Sequence, residues 1–222
     1  RYRHEYKMNV GDEHHPGLVT ALVLPIDALN EAPVRGIDFK NDRIWELLAE
    51  HLAEHGIEVW KIDPDWLRNL ARESDLAARV KARTNASGTL SNDVGLAQTI
   101  PELIDRVGKE PDVVIVPELV VRDAVHQGKR QIVWDGVKRR DTVDLMGSYR
   151  SPSVSMHVEV LTRDGKELFS GFGGIEQLFR VDLSVRGKMV QREDLYEDED
   201  NIREGICVAL YPWFGLEESC LH

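Results

Sequence analysis

Cysteine, positive charge and long apolar runs are what this chain has least of. Two cysteines among 222 residues, Cys207 and Cys220, allow a single disulfide and exclude a disulfide-framework fold. No stretch approaches the roughly 18 consecutive apolar residues of a membrane-spanning helix. Lys and Arg number 28 against 39 Asp and Glu, for a net charge of −11. A surface of that sign repels phosphate backbones, which argues against nucleic acid as a partner. The local basic clusters Lys129-Arg130 and Lys138-Arg139-Arg140 read as solvated strand faces. Internal repeats and low-complexity linkers are also missing. No Gly-x-Ser-x-Gly elbow occurs, and neither cysteine has a His-Asp pair near it in sequence.

What is present suits a globular protein, with 42% apolar and 30% charged residues. The length points most simply to one domain, with two small ones possible. Residues 1–17 are polar and aperiodic and read as a leader or linker, 18–215 as a single α/β domain, and 216–222 as a tail. The chain begins at Arg1, so a segment upstream of it is expected. His14-His15, before Pro16-Gly17, read as loop residues.

Leu18–Ile26 is almost continuously apolar, as a strand covered on both faces would be. Asn41 or Asp42 can cap a helix reaching about His55, with Ile44, Leu47, Leu48 and Leu52 as its core stripe and Gly56 just past its end. Ile57–Ile62 reads as the next strand. Asp63-Pro64 opens a second helix, expected to run to about Arg83. The Ser/Thr/Asn-rich loop after it carries the sequon Asn85-Ala86-Ser87, a pattern common by chance. Asp93–Val107 reads as a third helix ending at Gly108. Strands follow at Asp112–Val121 and Gln131–Val137.

Val154, Met156, Val158 and Val160 alternate with Ser155, His157 and Glu159, the period of a strand with one buried face. Arg163-Asp164-Gly165-Lys166 supplies a turn, and the returning arm runs through Leu168 and Phe169 towards Phe179 and Val181. Val190–Asn201 is acidic and precedes a final helix of about ten residues, expected to stop at Tyr211 before Pro212. The order implies an α/β (α+β) fold: one mixed sheet with a long antiparallel hairpin, and helices packed on it.

Two patches together resemble a known group. They are Ala21-Leu22-Val23-Leu24-Pro25, ahead of a helix ending Leu52-Ala53-Glu54-His55-Gly56-Ile57-Glu58-Val59, and the hairpin Val160–Gly171. The pattern is similar to a set of bacterial envelope lipoproteins with a domain like the N-terminal domain of TolB. The set includes curli-secretion lipoproteins, peptidoglycan-synthase activators and transport-auxiliary outer-membrane lipoproteins. The match spans roughly residues 18–182 and departs at Arg163-Asp164-Gly165, where the group carries Thr-Gly, and at Phe169, where it carries Trp. The resemblance implies a periplasmic protein, anchored to the outer membrane by an N-terminal lipid outside this chain. Such a protein would be non-enzymatic, would need no cofactor, and would bind envelope proteins or further copies of itself as a homo-oligomer.

Against this stands one motif with its own chemistry. His51-Leu52-Ala53-Glu54-His55 has the H-x-x-E-H form in which two imidazoles one helical turn apart hold Zn²⁺ and the glutamate acts as base. A zinc-dependent hydrolase would need a third ligand, for which Glu73 is a formal candidate. The alternative makes His51 and His55 packing residues of the apolar stripe. Gly171-Phe172-Gly173-Gly174 lies within a hairpin arm and so is no phosphate cradle. Its glycines fit a bulge or the close approach of another backbone. Cys207 and Cys220 either form a bridge tying the last helix to the tail or remain a buried thiol and a free one. Trp213 and Phe214, in the aromatic tail Tyr211–Phe214, are candidate contact residues if exposed and helix-packing residues if not.

Overall fold

The computed structural model describes residues 5–8, 20–26, 42–73, 93–127, 130–140, 150–182, 188–214 and 220. His14-His15 and the Asn85 sequon lie outside them. In chain order the elements are β1 (Tyr6–Met8), β2 (Thr20–Val23), α1 (Asp42–Glu54), β3 (Glu58–Lys61), α2 (Pro64–Glu73), α3 (Asp93–Val107) and β4 (Val113–His126). After these come β5 (Gln131–Trp134), β6 (Val137–Arg140), β7 (Arg150–Leu161), β8 (Glu167–Gln177), β9 (Phe179–Asp182), β10 (Lys188–Gln191) and α4 (Glu199–Phe214). Strands hydrogen-bond in the order β1-β8-β7-β4-β2-β3, with β5 on β4 and β6 on β5, while β9 and β10 pair separately. Parallel β2–β3 and β2–β4 pairs beside antiparallel β4–β5 and β5–β6 make the sheet mixed. The fold is therefore α/β, with a multi-stranded sheet and packed helices.

The chain divides into two compact units. One comprises Met8–Glu118 with Val158–Ser170, and the other Arg1–Lys7, Leu119–His157 and Gly171–His222. We call them the α/β unit and the C-terminal unit; β4, β7 and β8 contribute residues to each.

In the α/β unit, Thr20 and Asp112 set the start of the β2–β4 pairing. The Thr20 N–H and hydroxyl both donate to Asp112 Oδ2 at 2.9 Å, and the Asp112 N–H donates to the Thr20 carbonyl at 3.0 Å. Register then follows as Ala21↔Val113 and Leu22↔Val114. Leu22, Leu24, Val114 and Val116 form a core with Leu67 and Leu70 of α2 and Ile100, Leu103 and Ile104 of α3, against which Trp60 packs. Its neighbour Lys61 instead lies over the ring of Trp45 on α1. Successive strand residues point to opposite faces, so α1 covers the other face. Its stripe Ile44, Leu47, Leu48 and Leu52 is fully buried, worth about 2 kcal/mol per side chain. Gly56, at φ +80°, ends α1 with Ile57 N–H donating back to the Leu52 carbonyl at 3.1 Å, a Schellman closure. At the start of α2, Asp63 Oδ1 accepts the Trp66 N–H at 2.8 Å, as a cap should.

The C-terminal unit departs further from expectation. Residues 131–137 are not one strand. Asp135 (φ +36°) and Gly136 (φ +78°) form a two-residue turn joining β5 to β6, since hairpin turns of this type need positive φ at both positions. Strand β7 does not have one polar face. Ser151, Ser153, Ser155, His157 and Glu159 are buried along with Val154, Met156, Val158 and Val160. The returning arm stops at Gln177, and Phe179–Asp182 pairs antiparallel with Lys188–Gln191. Residues 6–8, expected within a leader, form β1, and Phe172 N–H donates to the Glu5 carbonyl. Three residues carry no readable period, and their pairing partner is remote in sequence.

Helix α4 spans 16 residues and continues through Pro212 to Phe214. Proline forfeits one backbone bond near a helix end, and buried Trp213 keeps the last turn docked. The helix sits on β8 backbone to backbone. A Cβ on Gly173 would fall 1.8 Å from the Gly205 carbonyl oxygen, and one on Gly205 would fall 2.8 Å from that of Gly174. Within the Gly-Phe-Gly-Gly run, Gly173 thus admits the close approach of a helix, while a Cβ on Gly174 would meet Trp134 and Val137.

Candidate functional site

His51, on α1, and His55, in the turn just past its end, are both half-buried, with ring centroids 4.5 Å apart. His55 Nδ1–H donates to the His51 carbonyl at 2.8 Å. Glu54 is exposed and is the last residue of the helix. Among the described residues no group of three His, Cys, Asp or Glu is placed to hold a metal ion. Glu73 belongs to α2, and only its backbone is described. The pair fits packing histidines at the edge of the stripe, and the third ligand required by a zinc hydrolase is not found among the described residues.

A second constellation, which the sequence did not announce, lies within the C-terminal unit on the polar side of β7. Asp135, held in its turn, accepts Ser155 Oγ–H at 2.6 Å on Oδ2. It also accepts Arg122 through Nε at 3.2 Å and Nη2 at 3.3 Å. Arg122 reaches Glu5 Oε2 at 2.5 Å and lies 4.4 Å over the Phe172 ring. On that ring His157 stacks at 4.3 Å, nearly parallel at 18°. Asp135 is 9% exposed and Ser155 fully buried, so this network fastens β1, β4, β7, β8 and the β5–β6 turn. It is a structural knot whose donors and acceptors face each other. The Asp135-Gly136 pair was its one legible signal.

A third lies at the N-terminal end of α4. An open cleft of about 530 Å³ is lined by Arg192, Asp194, Glu197, Asp198, Glu199 and Asp200. Asp198 caps the helix, Oδ1 accepting the N–H groups of Asp200 at 3.1 Å and Asn201 at 3.4 Å. Arg192 grips Asp194 with two bonds of 2.9 Å. The guanidinium also comes within 4.0 Å of Glu176 Oε1 on β8, whose side chain is 1% exposed. Glu176 Oε2 accepts the Tyr196 N–H at 2.8 Å. Burial raises the Glu176 carboxyl above its ordinary range, against the Tyr196 N–H and Arg192, which pull it down. The cleft offers carboxylates and no nucleophile–base pair, so its chemistry is attraction for positive charge. The acidic run was visible in the sequence; Glu176 and Arg192 were not singled out.

The remaining candidates fall in the same unit. Cys207 and Cys220 are joined in a disulfide with Cα atoms 5.5 Å apart, and Cys220 packs with Trp134, Val137 and Val208. The aromatic tail is not an exposed surface: Trp213 is 5% exposed and Phe214 half-buried, because the longer α4 turns them inward. Nor is Arg139 solvated. It pairs with Glu204 and donates to the carbonyls of Ile175 and Asn201.

No family model and no curated protein matches the chain. Among solved structures, the PelC dodecamer from Paraburkholderia phytofirmans aligns over 94% of this chain and 94% of its own, at 10% identity and a TM-score of 0.40.

Proposed function

We propose that this chain is a non-catalytic binding domain of the bacterial cell envelope, working where disulfides persist. The observation that carries the reading is the Cys207–Cys220 bridge, since such bonds are kept in secreted and periplasmic proteins and are rare in a reducing cytoplasm. The net charge of −11 and the acidic cleft at α4 favour partners with basic surfaces over nucleic acid. The strand–helix–strand start and the hairpin support placing the fold beside the TolB N-terminal domain. Attachment to the outer membrane through an upstream lipid belongs to the same reading, as do envelope proteins and further copies of the chain as partners.

The test is an intact mass of the native protein from fractionated cells, with free thiols alkylated before any reduction. The expected result is an envelope-bound protein bearing a diacylglyceryl group and no alkylated Cys207 or Cys220. A soluble, unlipidated protein with both thiols modified would overturn the reading. Sedimentation velocity on the purified protein decides whether copies associate.

A further inference from the structure

We propose that Glu176 is a proton-linked latch, over which the segment Arg192–Asp198 closes more tightly as its surroundings acidify. The inference stands apart from the proposed function and rests on how this carboxylate is enclosed.

The segment has two fixed ends. Arg192 N–H donates to the Leu178 carbonyl at 2.9 Å, and Asp198 caps α4. Between them, Tyr196 holds a left-handed backbone at φ +66°, unusual for a residue with a side chain. Its N–H points at Glu176 Oε2. The other oxygen, Oε1, is buried without a hydrogen bond. Arg192 is 4.0 Å away from it and aims its Nε and Nη2 donors at Asp194. Asn201, in the first turn of α4, and the Asp194 carboxylate face the same group, while Asp198 acts on Arg192. From β6, Arg139 reaches the neighbouring carbonyls of Ile175 and Asn201.

A carboxylate in this position has the Tyr196 N–H, the Asn201 side chain and a guanidinium already engaged elsewhere, and together they do not offset the loss of water that burial imposes. Opening the segment would rehydrate it and return it to ordinary behaviour. The closed form therefore holds the proton more tightly than the open form, and closing takes up a proton in the range above the usual glutamate value of 4.5. Protonation leaves Arg192 paired with Asp194, so no cation is stranded, and a neutral carboxyl oxygen still accepts the Tyr196 N–H.

Hydrogen exchange at the Tyr196 amide tests this. With the intrinsic pH dependence divided out, protection in the wild type should rise on acidification by up to about tenfold per pH unit, the limit for one linked proton. In Glu176→Gln protection should be flat with pH. A flat wild type, or an equal slope in the variant, would overturn the latch. Should the variant fail to fold, carbon-13 titration of the Glu176 carboxyl in the wild type decides alone. A midpoint above the ordinary value supports the latch, and one at the ordinary value refutes it.

Discussion

Asp135 joins two elements of the C-terminal unit to the turn it sits in. It holds positive φ in a tight turn and accepts from both Ser155 and Arg122. Removing it leaves a buried hydroxyl without its acceptor and a half-buried guanidinium with Glu5 alone. Asp135→Ala should lower stability by about 2 kcal/mol, the scale of a charged buried hydrogen bond. Asp135→Asn should cost less, because an amide oxygen still receives Ser155. Urea midpoints of the two variants check this, and midpoints equal to that of the wild type would mean the network contributes nothing. Glu176 makes the opposite prediction. Its raised value means that the folded state binds the proton more tightly than the unfolded chain does. Its contribution is therefore present at low pH and lost as pH climbs through the raised value. The stability of the wild type relative to Glu176→Gln should accordingly fall between mildly acid and neutral pH, as melting curves over that range would show. The alternation of Val154, Met156, Val158 and Val160 was legible as a strand, but the burial of Ser155 and His157 between them was not. Polarity forecasts exposure only where no partner exists, and here Asp135 and Phe172, distant in sequence, supply partners.

At the scale of elements, the seat of α4 on β8 depends on two glycines, Gly173 and Gly205. Gly205→Ala trades a gain of about 1 kcal/mol in helix propensity against a Cβ pressed 2.8 Å from the Gly174 oxygen and Ile175 Cγ1. Overpacking of this kind costs about 1–3 kcal/mol, so the net effect should be a mild loss. Gly173→Ala meets the Gly205 carbonyl at 1.8 Å and the Ala209 nitrogen at 2.7 Å, both backbone atoms that yield only if the helix moves. It should cost more than Gly205→Ala, with faster exchange of α4 amides. The reverse order would refute the close contact. That some backbone approaches Gly171–Gly174 could be inferred from glycines in a strand. Which backbone could not, because Gly205 lies on a helix whose apolar period says nothing of depth. The helices of the α/β unit were more readable, since Asp63, Gly56 and Gly108 mark ends through local geometry that needs no distant partner.

For the molecule as a whole, the strand–helix–strand order and the hairpin were legible because their joints are short and their turn residues explicit. The length left two units open, but where they divide was not legible, since β4, β7 and β8 carry no break at the residues where the division falls. The cysteine pair left two outcomes open, and nothing in local sequence brings Cys220 back onto α4. With the bridge formed, Cys220 is 8% exposed among Trp134, Val137 and Val208. Closing a loop across a separation of 13 residues restricts the unfolded chain and should be worth about 3 kcal/mol. The double variant Cys207→Ser/Cys220→Ser, which leaves no stray thiol, should unfold at a correspondingly lower denaturant midpoint. Wild type treated with reductant should move to the same place. Agreement of the two lowered midpoints would assign the loss to the bridge. If reductant leaves the midpoint unchanged while a thiol count confirms two free cysteines, the bridge adds no stability.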